Sequence, residues 1–571
     1  MSAAVGESDA SRRSARSSMN TELFGVFGDR EEFERHRDPT AFDVVLETPG
    51  ATVGVRARDL DVDRRTDTYS TDAGGCALFG EVVEPQGQDG PARAVYERAD
   101  RDVDAALDAL NGSYLAFVDV DDDPFVATDP LRSWECFYAD VDGTRVFGTD
   151  VAALERLVDD RTPDETAVLE LLHLGTVLGE RTLFADVARV PPDATLTPTG
   201  TADLSRFVYE PSEFDHVGEL TRRLEAAIER RSHYPGSKGV LLSGGHDSRL
   251  LLSQIDDVAA SYTVGSEDSR EVRVAKKLAS QYDAPHTTLE PGARYLYPSD
   301  DKLLYAQGVK EALHIHHAGY EDAFDVDVMY HGLLFDTILK GYFLEWDDTT
   351  ALGATVPSNS LVDDPSPVDC LLDTLGFEPD ASARLGTAAG DLLANLDVDV
   401  DLHVDSSWEF LADRFREELD ACRERADSLH NATDLLVLRN QPVMPFRVHL
   451  ADNYLEPFVA MDADLLDWHL RTPPGKRNGD TCRRALERVD EDIFEHAAPS
   501  KPHSSPYLNV AEELVRRVTP FVEEFERAWP NRGEVYDEND LAERLFPDHP
   551  AVRDLPERQQ LRVNGVRWWL G

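Results

Sequence analysis

The chain has 571 residues, which is too long for one hydrophobic core and predicts at least two domains. It carries 110 acidic and 57 basic residues, a formal net charge of −53, yet 41% of its residues are hydrophobic, which predicts folded domains rather than disorder. Such a negative field argues against binding to a nucleic acid backbone. Because the acidic residues are spread along the whole chain, we expect a halophilic, cytoplasmic protein.

The cysteines, the apolar runs and the N-terminal residues argue against further classes of protein. The five cysteines show no CxxC spacing, which predicts neither a disulfide framework nor a zinc site. No apolar run reaches the length that a membrane span requires, so we expect no membrane partner. Residues 1–18 are rich in Ser, Ala and Arg without an apolar core, which predicts a disordered leader, or a true start at Met19, rather than a secretory signal.

Residues 19–210 form the first predicted domain. Short alternating apolar segments, separated by Gly, Asp and Pro, predict strands over 23–27, 77–83 and 114–118. Helical patterns cover 151–158 and 165–174. This mixture of short strands and helices is typical of an α+β domain.

Residues 211–571 form the second predicted domain. A helix over 220–231 precedes alternating strands and helices over 239–242, 249–255, 260–264, 270–282 and 326–330. That alternation predicts a parallel sheet with helices on both faces, whose ligands bind at the carboxyl ends of the strands, near Ser243 and Gly265. Residues 347–405 predict a variable excursion of loops and short helices, and the remainder is mainly helical.

The segment Ser243-Gly244-Gly245-His246-Asp247-Ser248 lies between a predicted strand and a predicted helix. Two glycines let the backbone approach an anion closely, and amides at the helix start then face that anion. Ser243 and Ser248 add hydroxyl groups, while Asp247 offers a hard oxygen ligand for the magnesium that accompanies a nucleoside triphosphate. The alternative is an ordinary turn with a capping Asp. The pattern favours a pyrophosphate-binding loop and ATP chemistry.

This loop resembles the PP-loop of N-type ATP pyrophosphatases, and the chain resembles the glutamine-hydrolysing asparagine synthetase family nearly from end to end. Residues 261–265 resemble the family's adenine-bracketing strand and turn. Residues 328–336, ending at Asp336, align with its second loop, Leu-Ser-Gly-Glu-Gly-x-Asp-Glu, and Glu456-Pro457-Phe458 with Asp462 resembles its Arg-x-Pro-Phe-x-Asp segment.

The resemblance implies ATP and Mg²⁺ as cofactors and assigns roles to these residues. Asp247 and Asp336 would hold magnesium and neutralise the charge that develops on the pyrophosphate leaving group. The predicted nucleotide-binding residues are Leu242, Ser243, Gly244, Gly245, Asp247, Ser248, Val264, Gly265, His331 and Gly332.

The first domain resembles the family's class II glutamine amidotransferase, an Ntn-type sandwich of two β-sheets between helices. The resemblance places Thr21 where the family has its N-terminal cysteine, and Thr could act there only if the chain were cut immediately before it. Phe79-Gly80 stands where the family has an Asn-Gly oxyanion element. These two losses favour an inactive glutaminase.

The synthetase site departs from the family pattern as well. Leu333 stands where the family has a glutamate that handles protons, and the family's lysine near residue 480 has no counterpart. Lys476 and Lys501 are the nearest catalytic candidates for a cation over the α-phosphate; the alternative is that both are solvated loop lysines. His314 and His317 would share a helix face, for which we favour a structural role over zinc binding, with substrate recognition as the more plausible functional role.

The sequence therefore predicts an AMP- and pyrophosphate-forming amide ligase. A carboxylate, aspartate or a related acceptor, would be activated as an acyl-adenylate and attacked by ammonia or an amine. Two alternatives stay open: a non-catalytic nucleotide-binding or scaffold paralogue, and a relative of the β-lactam-forming and peptide-cyclising enzymes. A homodimer or a separate glutaminase subunit also stays open.

Overall fold

The computed structural model describes residues 18–57, 66–85, 89–158, 161–347, 349–351, 354–356, 360–499, 503, 508–509, 512 and 531–571. Of the predicted leader, only Ser18 lies within this part of the chain. Where the chain is described, none of the helices combines the length and the apolar composition that a membrane span requires.

The described strands form three larger sheets and one hairpin. The strands are β1 Glu22–Val26, β2 Val44–Glu47, β3 Thr52–Arg56, β4 Thr66–Thr71, β5 Gly74–Glu84, β6 Asn111–Val120, β7 Asp123–Thr128, β8 Phe137–Val141, β9 Thr144–Gly148, β10 Ala188–Arg189, β11 Ala194–Thr197, β12 Gly200–Asp203, β13 Lys238–Leu241, β14 Val258–Val264, β15 His286–Leu289, β16 Val328–Tyr330, β17 Thr349–Ala351 and β18 Ala354–Val356.

The described helices lie mostly in the second half of the chain. The α-helices are Arg30–His36, Pro91–Ala99, Val103–Asp108, Val151–Leu154, Glu165–Leu174, His216–Ser232, His246–Gln254, Arg270–Gln281, Ala293–Leu296, Asp300–Tyr305, Phe335–Lys340, Pro367–Thr374, Pro379–Ala394, Ser407–Arg423, Leu429–Arg439, Met444–Asn453, Ala463–Arg471, Gly479–Val489, Arg532–Glu538, Leu541–Leu545, Pro550–Arg553 and Glu557–Leu570. The 3-10 helices are Pro39–Ala41, Ala312–His314, Glu321–Ala323, Val459–Met461, Pro474–Lys476 and Glu491–Phe494.

Two antiparallel sheets pack face to face in the N-terminal half, with strand orders β10-β8-β9-β1-β3-β2 and β12-β11-β7-β6-β5-β4. The two-residue period of β6 decides which side chains face which layer. Leu115 and Phe117 join the core between the sheets, whereas Tyr114 and Ala116 face the helices Pro91–Ala99 and Val103–Asp108. The helices Arg30–His36 and Val151–Leu154 contact strands of the first sheet. The predicted four-layer sandwich is therefore confirmed.

A parallel sheet of order β15-β14-β13-β16 organises the second half, as the alternating pattern predicts. Since all four strands run the same way, the loops that follow β13, β14 and β16 meet at one edge. The predicted helix over 151–158 is wrong in length. The α-helix ends at Leu154, because the chain tightens into a turn in which Leu157 N–H donates to the Leu154 carbonyl at 2.9 Å.

A hydrophobic cluster of the described residues spans both halves of the chain. The cluster that contains Phe24 and Phe117 of the sandwich also contains Tyr262 of β14 and Trp569 of the last helix, Glu557–Leu570. Trp569 packs edge-on against Phe184, with ring centroids 6.4 Å apart. The C-terminal helix thus packs against the sandwich and joins it to the parallel-sheet half.

Candidate active site

The pyrophosphate-binding loop predicted at 243–248 connects β13 to the helix His246–Gln254. Gly244 has a φ of +66°, and a Cβ there would lie 2.8 Å from Cγ of Pro499, so this turn requires glycine. Ser243 Oγ accepts a bond from Gly245 N–H at 3.3 Å, and Ser248 Oγ accepts from Ser243 N–H at 3.2 Å. The loop is therefore preformed by its own hydroxyl groups.

A second loop, between β16 and the helix Phe335–Lys340, contacts the first. A Cβ on Gly332 would lie 2.7 Å from Cβ of Asp247 and 3.3 Å from the backbone nitrogen of Ser248. Because β13 and β16 are hydrogen-bonded neighbours, their following loops emerge side by side. Glycine at 332 lets the two backbones meet.

The residues predicted to contact the nucleoside surround the same edge. Leu242 and Val264 are 1% and 5% exposed. Leu242 N–H donates to the Tyr262 carbonyl at 2.8 Å, and Gly265 N–H donates to the Leu289 carbonyl at 3.0 Å. These bonds fix the ends of β13 and β14 beside the glycine loop.

Asp247 and Asp336 come together around Lys340, a residue that the sequence analysis did not identify. Lys340 Nζ lies 2.7 Å from Oδ1 and 2.9 Å from Oδ2 of Asp247, and 2.6 Å from Oδ1 of Asp336. The Asp247 side chain is 15% exposed and that of Asp336 is 60% exposed. The spacing of four residues between Asp336 and Lys340, on a helix, is the signal that could have found this lysine.

The charges of this cluster depend on one another. Burial raises the pKa of Asp247 to about 6; the Lys340 ammonium opposes that rise, and Asp336 adds to it. Burial by itself lowers the pKa of Lys340, but the two carboxylates raise it above its ordinary value. Lys340 therefore remains an ammonium ion between two acidic groups.

Arg249 and Glu271 lie behind the glycine loop and were also missed. Arg249 Nε donates to the Gly244 carbonyl at 2.9 Å, and its Nη1 donates to the Ile493 carbonyl at 2.7 Å. Glu271 is 3% exposed, and its Oε1 would lie 3.4 Å from a Cβ on Gly244. That oxygen has no hydrogen-bond partner among the described residues. Burial raises the pKa of Glu271 to about 8, against the opposing charge of Arg249.

His331 directly follows β16 and is oriented by a buried acid and by a backbone N–H of its own loop. Its Nε2 lies 2.6 Å from Oε1 of Glu456, and its Nδ1 accepts a bond from Leu333 N–H at 3.3 Å. Arg447 binds the other oxygen of Glu456 at 2.9 Å. Burial opposes ionisation of Glu456, but Arg447 and His331 together lower its pKa. The imidazole is thereby held beside Leu333 in one orientation.

Of the two predicted catalytic lysines, only Lys476 lies within the described residues, and it is not part of this cluster. Lys476 ends the 3-10 helix Pro474–Lys476, is exposed, and acts electrostatically on His216, whose pKa it lowers together with the larger effect of burial. Lys501 lies outside the described residues.

The predicted histidine face at residues 314–317 is wrong in its geometry, because the chain forms a 3-10 helix over Ala312–His314 instead of an α-helix. His314 Nε2 lies 3.2 Å from Glu311, whereas His317 Nε2 lies 2.9 Å from Nδ1 of His449. The two rings therefore contact different partners.

Thr21, at the family's nucleophile position, is buried against the other half of the chain. Its N–H and its Oγ1 both donate to Oδ1 of Asp452, at 2.6 and 2.7 Å. Tyr305 donates to Oδ2 of the same carboxylate at 2.7 Å. Phe79 and Gly80 lie in β5 and pair with Leu115 and Tyr114 of β6. The backbone N–H and the hydroxyl of Thr21 thus share one carboxylate acceptor.

Similarity to solved structures is distant. The chain is 14% identical to a structure titled as the allosteric regulatory enzyme of purine biosynthesis, covering 56% of this chain and 75% of that chain, with a TM-score of 0.23. It is 13% identical to the glutamine phosphoribosylpyrophosphate amidotransferase of B. subtilis, covering 56% and 70%, with a TM-score of 0.22. The NH3-dependent NAD synthetase of Campylobacter jejuni is 11% identical, covering 36% and 95%, with a TM-score of 0.17.

The comparison with curated proteins gave no match. The model of the asparagine synthase family matches residues 219–352. This range contains the glycine loop, the second loop and the cluster of Asp247, Asp336 and Lys340. Over residues 219–352 the chain is therefore similar to the asparagine synthase family.

Proposed function

We propose that this protein is an ATP-dependent, AMP- and pyrophosphate-forming amide ligase of the asparagine synthetase type. The observation that carries the proposal is the convergence of the glycine loop and the Asp247–Asp336 pair at the carboxyl edge of the parallel sheet, inside the family-matched range. Phosphate groups bind at loops that precede helices, and ligands of parallel sheets bind at this edge.

The residues present fit a nucleotide with its magnesium. Ser243, Gly244, Gly245 and Ser248 would bind pyrophosphate, and Leu242, Val264, Gly265, His331 and Gly332 would surround the nucleoside. Asp247 and Asp336 would hold magnesium, which usually takes one or two carboxylates and completes its ligands with phosphate and water. Bound there, the ion would neutralise charge on the pyrophosphate leaving group.

The proposed reaction has two steps, adenylation of a carboxylate and amide formation. A carboxylate oxygen of the acceptor attacks the α-phosphorus of ATP, and pyrophosphate leaves. An amine or ammonia nitrogen then attacks the acyl carbon, loses a proton, and AMP leaves. Aspartate or a related carboxylate is the acceptor that we propose, in a cytoplasmic, salt-rich setting that suits the acidic surface.

The nitrogen would come from free ammonia, a partner subunit or an amine of the acceptor itself. The bonds between Thr21 and Asp452 support this view, because they engage both the nitrogen and the hydroxyl that an N-terminal nucleophile would use. The last source corresponds to a β-lactam-forming or peptide-cyclising relative. Leu333, at a position where the family uses a glutamate, is the feature that favours the non-catalytic alternative.

Exchange of labelled pyrophosphate into ATP, with a panel of carboxylates, tests the proposal. We expect exchange with one acceptor, and we expect Asp247→Asn to lower it by about 10²-fold or more, the order of effect of one electrostatic group in a transition state. Asp391→Asn, an exposed acid on the helix Pro379–Ala394, is the matched control. ATP binding without exchange for any acceptor would instead support a non-catalytic paralogue.

A further inference from the structure

The acidic pair of the proposed magnesium site already has a cation. Lys340 Nζ contacts both carboxylate oxygens of Asp247 and one of Asp336, at 2.6 to 2.9 Å. Its side chain is 21% exposed, so solvent screens these contacts only in part. A divalent cation and this ammonium would therefore compete for the same oxygens.

The backbone fixes the lysine opposite the pair. The helix Phe335–Lys340 has only six residues and is bounded by Leu334 and Gly341, whose φ angles are +69° and +58°. Asp336 and Lys340 occupy positions i and i+4 of this helix and so share one face. Gly332 then sets that face against Asp247 through the close approach of the two loops.

Other lysines of the described chain are engaged elsewhere. Lys302 donates to the Arg294 carbonyl, Lys310 to Glu135, and Lys238 to the Asp256 carbonyl, at 2.6, 2.8 and 3.2 Å. Lys476 is exposed near His216. Among the described residues, Lys340 is thus the lysine whose ammonium reaches the carboxylates beside the glycine loop.

We propose that Lys340 is the resident cation of this site. It occupies the Asp247–Asp336 pair while no nucleotide is bound, yields Asp247 to the divalent cation that arrives with ATP, and then turns its ammonium to the triphosphate. The flexible four-carbon stem of lysine permits that turn, which a planar guanidinium makes less readily. The identity of the nucleotide in this inference rests on the proposed function. The competition between Lys340 and a metal ion does not.

Binding of Mn²⁺ alone to the full chain tests the competition. We expect Lys340→Met to bind Mn²⁺ at least about tenfold more tightly than the unmodified protein. A neighbouring cation shifts the proton affinity of a carboxylate by about one to three orders of magnitude, and we expect it to weaken metal binding in the same way. Lys277→Met, which removes an exposed lysine on the helix Arg270–Gln281, should leave the affinity unchanged. The amount of free Mn²⁺ is read from its paramagnetic resonance signal.

Adding Asp336→Asn to Lys340→Met should abolish the gain and so locate the ion at this pair. Unchanged or weaker Mn²⁺ binding by a folded Lys340→Met protein, as judged by its thermal unfolding, would overturn the resident-cation role. So would a gain that survives Asp336→Asn.

Equilibrium dialysis of Mg–ATP tests whether Lys340 contacts the triphosphate. We expect Lys340→Met to bind Mg–ATP at least about tenfold more weakly, and Lys340→Arg to recover part of that loss, because arginine keeps the positive charge that methionine removes. Equal affinity of the Met variant and the unmodified protein would contradict contact with the triphosphate. If pyrophosphate exchange is absent while both binding results hold, the ligase proposal fails and the role of Lys340 stands.

Discussion

Glu271 occupies the first turn of the helix Arg270–Gln281 and faces the glycine loop from behind. A buried carboxyl group with an unpartnered oxygen pays a desolvation penalty whenever it is ionised, and this penalty raises its pKa to about 8. Near neutral pH the group is therefore largely protonated, which keeps a second negative charge away from the place proposed for pyrophosphate.

This shift predicts a pH dependence of stability. The folded pKa of Glu271, about 8, lies above the ordinary value of 4.5, so the folded state binds more protons between these limits. The contribution of this group to the free energy of unfolding should therefore be full below pH 4.5, fall as the pH rises from 4.5 to about 8, and level off above, with a slope of up to about 1.4 kcal/mol per pH unit.

Glu271→Gln should remove that slope and be more stable than the unmodified protein at pH 9. Urea unfolding of both proteins between pH 5 and pH 9 measures the difference. Parallel stability curves for the two proteins would contradict the assignment, and Glu225→Gln, at an exposed acid on the helix His216–Ser232, serves as the control.

At the scale of elements, the site depends on two loops that touch. The loops after β13 and β16 approach so closely that Gly332 has no room for a side chain. Neither loop alone would place Asp336 opposite Asp247, because each carboxylate is carried by the helix that follows its own loop.

Gly332→Ala should therefore separate the loops and lower the affinity for Mg–ATP by about tenfold or more. The added Cβ would lie 2.7 Å from Cβ of Asp247, a distance that forces one loop to move. Isothermal titration measures the affinity. Gly390→Ala, where nothing lies within 4 Å, is the control and should stabilise its helix by about 0.5–1 kcal/mol. Unchanged affinity in Gly332→Ala would show that loop contact is not required.

At the scale of the whole molecule, the position that resembles a glutaminase nucleophile has become part of the contact between the two halves. Asp452 is fully buried on the helix Met444–Asn453 and accepts bonds from Asn20, Thr21 and Tyr305. A carboxylate that is buried with this many donors stabilises the contact only while all of them are present.

Asp452→Ala should lower the free energy of unfolding by about 3–5 kcal/mol, because it leaves buried donors without an acceptor. Calorimetry measures the loss. Thr21→Val, which keeps the backbone N–H bond and removes only the hydroxyl bond, should cost about 1 kcal/mol. Glutamine hydrolysis that depends on Thr21 and appears with a cut before it would contradict the structural role.

The sequence by itself determined the local elements and the chemistry that they can carry. The alternation of strands and helices after residue 211 predicted the parallel sheet, and the glycine pair at 244–245 between a strand and a helix predicted the phosphate-binding loop. These features depend on residues that are neighbours in the chain, so hydrophobic period and turn chemistry reveal them.

Only the tertiary structure decided which charged groups meet. Lys340 reaches Asp247 across 93 positions of the chain, and Thr21 reaches Asp452 across 431. Sequence spacing therefore pointed to Lys476, which lies elsewhere, and Thr21 drew attention as a degenerate nucleophile rather than as a contact between halves. Long-range pairings follow from how the loops and domains pack, and no local pattern in the sequence encodes that packing.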